Sequence, residues 1–162
     1  MATIKSLTGA GWLKDADDNF TAINAELAYT TGLHVTKFTF DAEADDNTAE
    51  TPVSNKTVAN HPMGVSIPDN AVVVDGWVEV ITAIDSVDDG ATISVGLVAE
   101  TKDDLLNSAT QANLAADKVV SMAAVKTAPV KLAAETEINV AVETKALTAG
   151  KFIGHIVWME GE

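Results

Sequence analysis

The sequence predicts an all-β domain: a jelly-roll-like antiparallel β-sandwich of about eight strands, preceded by an N-terminal arm and a short helix. Three observations carry this reading. From residue 33 onward apolar residues recur with a period of two, which puts alternate side chains on opposite faces of a sheet. The apolar runs are short, and turns rich in Gly, Pro, Asn and Asp separate them at similar intervals. One segment, near the N-terminus, carries a convincing helical stripe. No repeat of fixed period indicates a solenoid. An up-and-down barrel fits the same pattern, because strand order is not visible in it.

Residues 1–11 (MATIKSLTGAG) are small, polar and glycine-bearing, and read as a flexible arm. A helix follows. Asp15, Asp17 and Asp18 crowd its start, where carboxylates meet unpaired N–H groups and the positive end of the helix dipole. Phe20, Ile23 and Leu27 recur at spacings of three and four, and Gly32 stands where a C-terminal cap is useful. A helix of roughly 15 residues with one narrow stripe is marginal alone and has to dock on something. The domain boundary therefore falls after Gly32, with arm and helix in 1–32 and the β-domain in 33–162.

In the first strand Thr36, Phe38 and Phe40 share one face, and Val35, Lys37 and Thr39 the other. Residues 41–55 are acidic and rich in Thr and Asn, a long surface loop. Val65–Ile67 and Val72–Ile84 are strand-like and are broken by the turn Pro68-Asp69-Asn70. Asp88-Asp89-Gly90, between Val78–Ile84 and the alternating run Ala91–Ala99, is a hairpin signal. Residues 101–116 predict a short helix, with Thr101 as cap and Asp104 three residues on. Four further strands are expected over 118–126, 129–134, 136–144 and 151–159. In the last, Phe152, Ile156 and Trp158 face one way while Ile153, Val157 and Met159 face the other. A strand apolar on both faces is either covered on both or sits in an interface.

Composition excludes several functions. The chain has 24 acidic residues against 10 basic ones, all of them Lys, and a formal net charge of −14. Phosphate backbones and anionic lipid repel such a surface, and without Arg there is no forked donor for phosphate or guanine. Neither nucleic acid nor membrane is expected as a partner. The absence of Cys removes disulfides, thiolate catalysis and zinc ribbons. The start, MATIKSLTGAGW, has no apolar run of signal-peptide length, so the protein is expected to act or assemble from the compartment where it is made.

The sequence holds no catalytic constellation. The nearest approach to a nucleophile elbow, Gly64-Val-Ser66-Ile-Pro68, has Pro where the second Gly belongs. His155 lies inside a strand, His61 precedes Pro62 in a turn and His34 opens a strand; all three read as ordinary strand, surface or edge residues. Asp15, Asp17, Asn19 and Glu26 fit EF-hand positions, but Phe20 stands where that loop needs Gly. Asp88-Asp89-Gly90 could chelate a hard cation in a loop, but a hairpin turn accounts for it without an ion, and three scattered Trp do not line a sugar cleft. No enzyme, cofactor or metal site is expected. The informative side chains are apolar: Trp12, Leu13, Phe20, Ile23 and Leu27 beside the arm, and Trp158 in the last strand. They either pack on their own sandwich or anchor the arm on a neighbouring surface, where buried Trp is a frequent anchor.

Residues 64–97 carry a resemblance. The order Gly64, Pro68, Ala71, Val78, Val80, Ala91, Thr92, Ile93 and Gly96 is similar to a turn-and-strand pattern of small virion proteins of tailed bacteriophages. The opening from Trp12 to Phe20 also resembles phage structural-protein N-termini. The likeness covers about a third of the chain. It implies a non-enzymatic capsid decoration (cement) protein, a homotrimer bound to the major capsid protein on the outer surface of the virion and made in the host cytoplasm. A tail, baseplate or fibre component is the alternative within that class. A carbohydrate- or calcium-binding jelly-roll module is the alternative outside it. The shared positions are structural, so no functional residue carries over.

Overall fold

The structure, a computed structural model, describes residues 32–46, 51–97, 104–122 and 128–161. The chain divides between His34 and Val35, and the sandwich belongs to the second unit, Val35–Glu162. Among the described residues there are nine strands: β1 (Leu33–Asp41), β2 (Ala59–Ile67), β3 (Ala71–Ser86), β4 (Thr92–Gly96), β5 (Leu106–Thr110), β6 (Val119–Ser121), β7 (Val130–Lys131), β8 (Thr136–Glu143) and β9 (Leu147–Glu160). They form two sheets. One has the order β1-β9-β3-β6, with β7 also on β3; the other has the order β2-β8-β4-β5.

The pairing is nested. β1 lies beside β9, β2 beside β8, β3 beside β6 and β7, and β4 beside β5, while β3–β9 and β4–β8 join these pairs into sheets. With β6 and β7 sharing one strand position, this is a long ribbon folded over itself, the order of a jelly roll. The expected all-β sandwich is therefore observed, and the barrel alternative is removed.

Burial explains the packing. Phe38 and Phe40 of β1 point inward with Val73, Val78 and Val80 of β3 and Phe152 and Ile156 of β9. Ile67, Ile93, Val95, Ile138, Val140 and Val142 answer them from the second sheet. Phe152 stacks on Phe40 at 5.0 Å between ring centres and meets Phe38 edge-on at 6.2 Å. Offset and edge-on contacts are the favoured arrangements for such pairs.

Four expectations are corrected. Asp88-Asp89-Gly90 does not close a hairpin, since β3 and β4 belong to different sheets. The segment steps across the sandwich through a 3-10 turn, Val87–Asp89, with Asp88 and Asp89 at φ 70° and 51°. Ser86 Oγ accepts the Ala91 N–H at 3.1 Å and closes the step. Alternation fixes which face of each strand is buried, not its partner, and two inward faces bury each other equally well from opposite sheets.

The helix expected over 101–116 is absent from the described part, residues 104–116. Leu106–Thr110 is β5 and pairs with β4, and only a single turn follows, with Leu114 N–H on the carbonyls of Thr110 and Gln111. Leu105, Ala109 and Leu114 are buried at spacings close to a helical stripe, which misleads the pattern. Asn107, Ser108 and Thr110 are poor helix formers, and the open edge of β4 takes them as a strand.

Residues 41–55 are not simply a surface loop. Asp45 bridges Ser54, Asp46 N–H reaches Val53 O at 2.8 Å, and Asp46 and Asn55 are buried. Finally, β2 starts at Ala59 rather than Val65, so His61 is a fully buried strand residue and not a turn. Pro62 and Gly64 mask this strand in the sequence. The structure tolerates them because β2 is an edge strand whose register against β8 shifts between Pro62 and Ser66, with Gly64 at φ 67°.

Candidate interaction surface

The two sheets present different outer faces, and the registers show why. In an antiparallel pair directly opposed residues share a face. On the five-stranded sheet Trp77 is opposed by His155 and Ser121, Glu79 by Ile153 and Val119, Asp75 by Val157, and Val72 by Met159. Their neighbours Val73, Val78, Phe152 and Ile156 are the inward set. The outer face therefore carries Trp77, Ile153, Val157, Val119, Val72 and Met159 around a few polar groups. Val119 is 67% exposed and Met159 37%, and Ile81 farther along β3 is 46% exposed.

The centre of that face is an aromatic pair. The Trp77 indole and the His155 imidazole stack at 4.9 Å, 11° from parallel. Burial pushes the His155 imidazole below its ordinary value; the Glu79 carboxylate opposes this and the Lys37 ammonium adds to it. The ring thus favours its neutral form, which suits stacking in an apolar setting.

The outer face of the four-stranded sheet is small and polar. Here Ser94 is opposed by Ala141, Thr92 by Glu143 and Thr110, Pro62 by Asn139, and Ser66 by Glu137. Ser94 Oγ donates to Glu143 Oε2 at 2.8 Å and accepts the Ser108 N–H at 2.9 Å. Ser94, Asn139 and Ala141 at the centre of this face are buried and Glu137 and Glu143 are half-buried, where the other sheet shows Trp, Ile and Val.

Of the side chains singled out from sequence, Trp12, Leu13, Phe20, Ile23 and Leu27 lie outside the described residues, as do the arm and the helix expected around them. Trp158 is half-buried, opposes Val73 on the inward side of β9 and packs against the core, and its indole N–H donates to Thr36 Oγ1 at 2.9 Å. The structure brings Trp158 to the rim of the core and Trp77 with His155 to the centre of the outer face. In the sequence Trp77 and His155 read as separate strand residues. Only the β3–β9 register, with partners 78 residues apart in the chain (155 − 77), pairs them. Among the described residues no three His, Cys, Asp or Glu side chains gather as a metal site would require.

Comparison with solved structures gives the fold an independent anchor. The chain is similar to a chain of the acidic stable capsid structure of Helicobacter pylori bacteriophage KHP30, with a TM-score of 0.52 and 16% identity over 78% of this chain and 86% of that one. It is similar also to a chain in the capsid of Ralstonia phage GP4, with a TM-score of 0.50 and 17% identity over 80% of this chain and 85% of that one. Neither a protein-family model nor a curated protein matches the sequence. At this identity the likeness is one of fold, and it spans most of each chain.

Proposed function

We propose that this chain is a non-enzymatic structural protein of a phage head, a decoration protein that binds the assembled shell from outside as a homotrimer. The observation that carries the reading is the shared fold over most of the chain with two chains from phage capsids. The unequal outer faces support it. An apolar face built around Trp77, with Val119 67% and Ile81 46% exposed, suits burial against protein on a chain of net charge −14. The partners are further copies of the chain and the major capsid protein, and the place is the virion exterior. In this reading Trp12, Leu13, Phe20, Ile23 and Leu27 anchor the N-terminal segment on a neighbouring subunit or on the shell. The work is mechanical: many modest contacts, repeated by symmetry, hold capsomers together.

The test is copy number in purified particles together with the mass of the isolated protein. A copy number comparable to that of the shell protein and a trimeric mass by light scattering are expected. A handful of copies per particle refutes head decoration and favours a tail component, and a strict monomer at high concentration refutes the trimer. A carbohydrate- or calcium-binding module would instead gain thermal stability with its ligand.

A further inference from the structure

The chain on either side of residues 47–50 is fastened to β2 at a buried site with one acceptor too many. His61 has no exposed surface, and Asp46 opposite it is almost as deeply buried. Both ring nitrogens face oxygen. Nε2 lies 2.9 Å from the Thr57 carbonyl and Nδ1 lies 3.3 Å from Asp46 Oδ2. The other carboxylate oxygen, Oδ1, accepts the Val53 N–H at 3.0 Å.

A neutral imidazole carries one N–H and one lone pair. Whichever nitrogen holds the proton, the other aims its lone pair at an oxygen, and an ionised Asp46 has no proton to give. Left unmatched in a buried site, such a contact forfeits a hydrogen bond and opposes like partial charges. One added proton removes the conflict. Either an imidazolium donates to both oxygens, or a carboxyl O–H donates to Nδ1 while Nε2–H donates to Thr57.

The surroundings leave Asp46 as the acid that answers the ring. β1 contributes the Phe40 ring at 6.5 Å, and β8 contributes Val140 as the register partner. Of the charged side chains near it in sequence, Asp45 is exposed, and Glu43 and Lys56 pair with each other at 2.7 Å and are part-exposed to exposed. We infer that His61 and Asp46 hold between them one proton beyond the ring's own, and that this proton clasps residues 42–46 and 51–58 to the sandwich.

The experiment uses the isotope-labelled full-length chain at neutral pH. Long-range proton–nitrogen correlations report both nitrogens of His61, and the carboxyl carbon shift reports Asp46. Two protonated nitrogens, or a neutral ring beside a protonated carboxyl, is the expected result. A neutral ring beside an ionised Asp46 overturns the inference. Asp46→Asn supplies a second reading, because its amide N–H can donate to a neutral Nδ1 while its oxygen still accepts from Val53. That variant needs no added proton. Above the ordinary imidazole range the unfolded wild-type chain lacks the proton that the native site holds, so wild-type stability falls as pH rises. Relative to the variant, the unfolding constant should climb by up to about tenfold per pH unit there. Superimposable pH profiles also overturn the inference.

Discussion

Replacing Gly154 by Ala tests the sandwich core where β9 passes closest over Phe38. Gly154 faces inward on β9 opposite Val78, and its φ lies outside the left-handed region, so the backbone accepts Ala. Space does not. A Cβ there would fall on Cε1 and Cζ of Phe38 and lie 2.8 Å from Cδ1. The Phe38 ring is 2% exposed and held edge-on against Phe152, so it cannot swing toward solvent. Overpacking of this kind costs about 1–3 kcal/mol. The lower entropy of Ala in the unfolded chain offsets about 0.5–1 kcal/mol of it. With the ring locked, the net expectation is a loss of about 2 kcal/mol, or a fall of about 4–8 °C in Tm. Urea unfolding followed by far-UV circular dichroism measures it. Phe38→Leu removes the offending ring atoms and leaves a cavity of its own. In the double variant the two defects should compensate, with a coupling of about 1 kcal/mol or more. A Gly154→Ala variant within about 0.5 kcal/mol of wild type, or strict additivity in the double variant, would refute the packing argument.

Two further outcomes are expected. Because burial disfavours the His155 imidazolium, the unfolded chain takes up this proton more readily than the folded one. Stability should decline as pH falls through the ordinary imidazole range, and His155→Gln should flatten that part of the profile in urea midpoints; equal acid slopes would sink the account. The Trp158–Thr36 hydrogen bond should contribute about 1 kcal/mol. Thr36→Val and Trp158→Phe should each lose it, and because they share one bond their losses should be less than additive in the double variant; a fully additive pair contradicts it.

Much of the fold is legible one strand at a time. The alternation in β1, β8 and β9 names Phe38, Phe40, Ile138, Val140, Val142, Phe152 and Ile156 as one-faced sets, and all are buried. Segments with a weaker pattern mislead. Residues 104–116 mimic a helical stripe because Leu105, Ala109 and Leu114 reach the core from a strand and a turn. β2 reads too short because Pro62 and Gly64 ordinarily interrupt strands, and His61 is misplaced with it. The interaction surface is legible only in part. Ile153, Val157 and Met159 fall on one face by alternation, but nothing local brings Trp77 and His155 together.

The sequence by itself determined the class of structure and the identity of the buried faces, since period-two apolar spacing is a local property that each strand carries alone. It also determined the charge, and with it a surface that phosphate and anionic lipid repel. Tertiary structure decided everything that depends on who lies beside whom: the nested jelly-roll order, the step at Asp88-Asp89 from one sheet to the other, the Trp77–His155 stack and the buried His61–Asp46 pair. The physical reason is that burying an apolar face is non-directional and accepts any partner that excludes water, whereas register and sheet order are selected by the packing of the whole core at once.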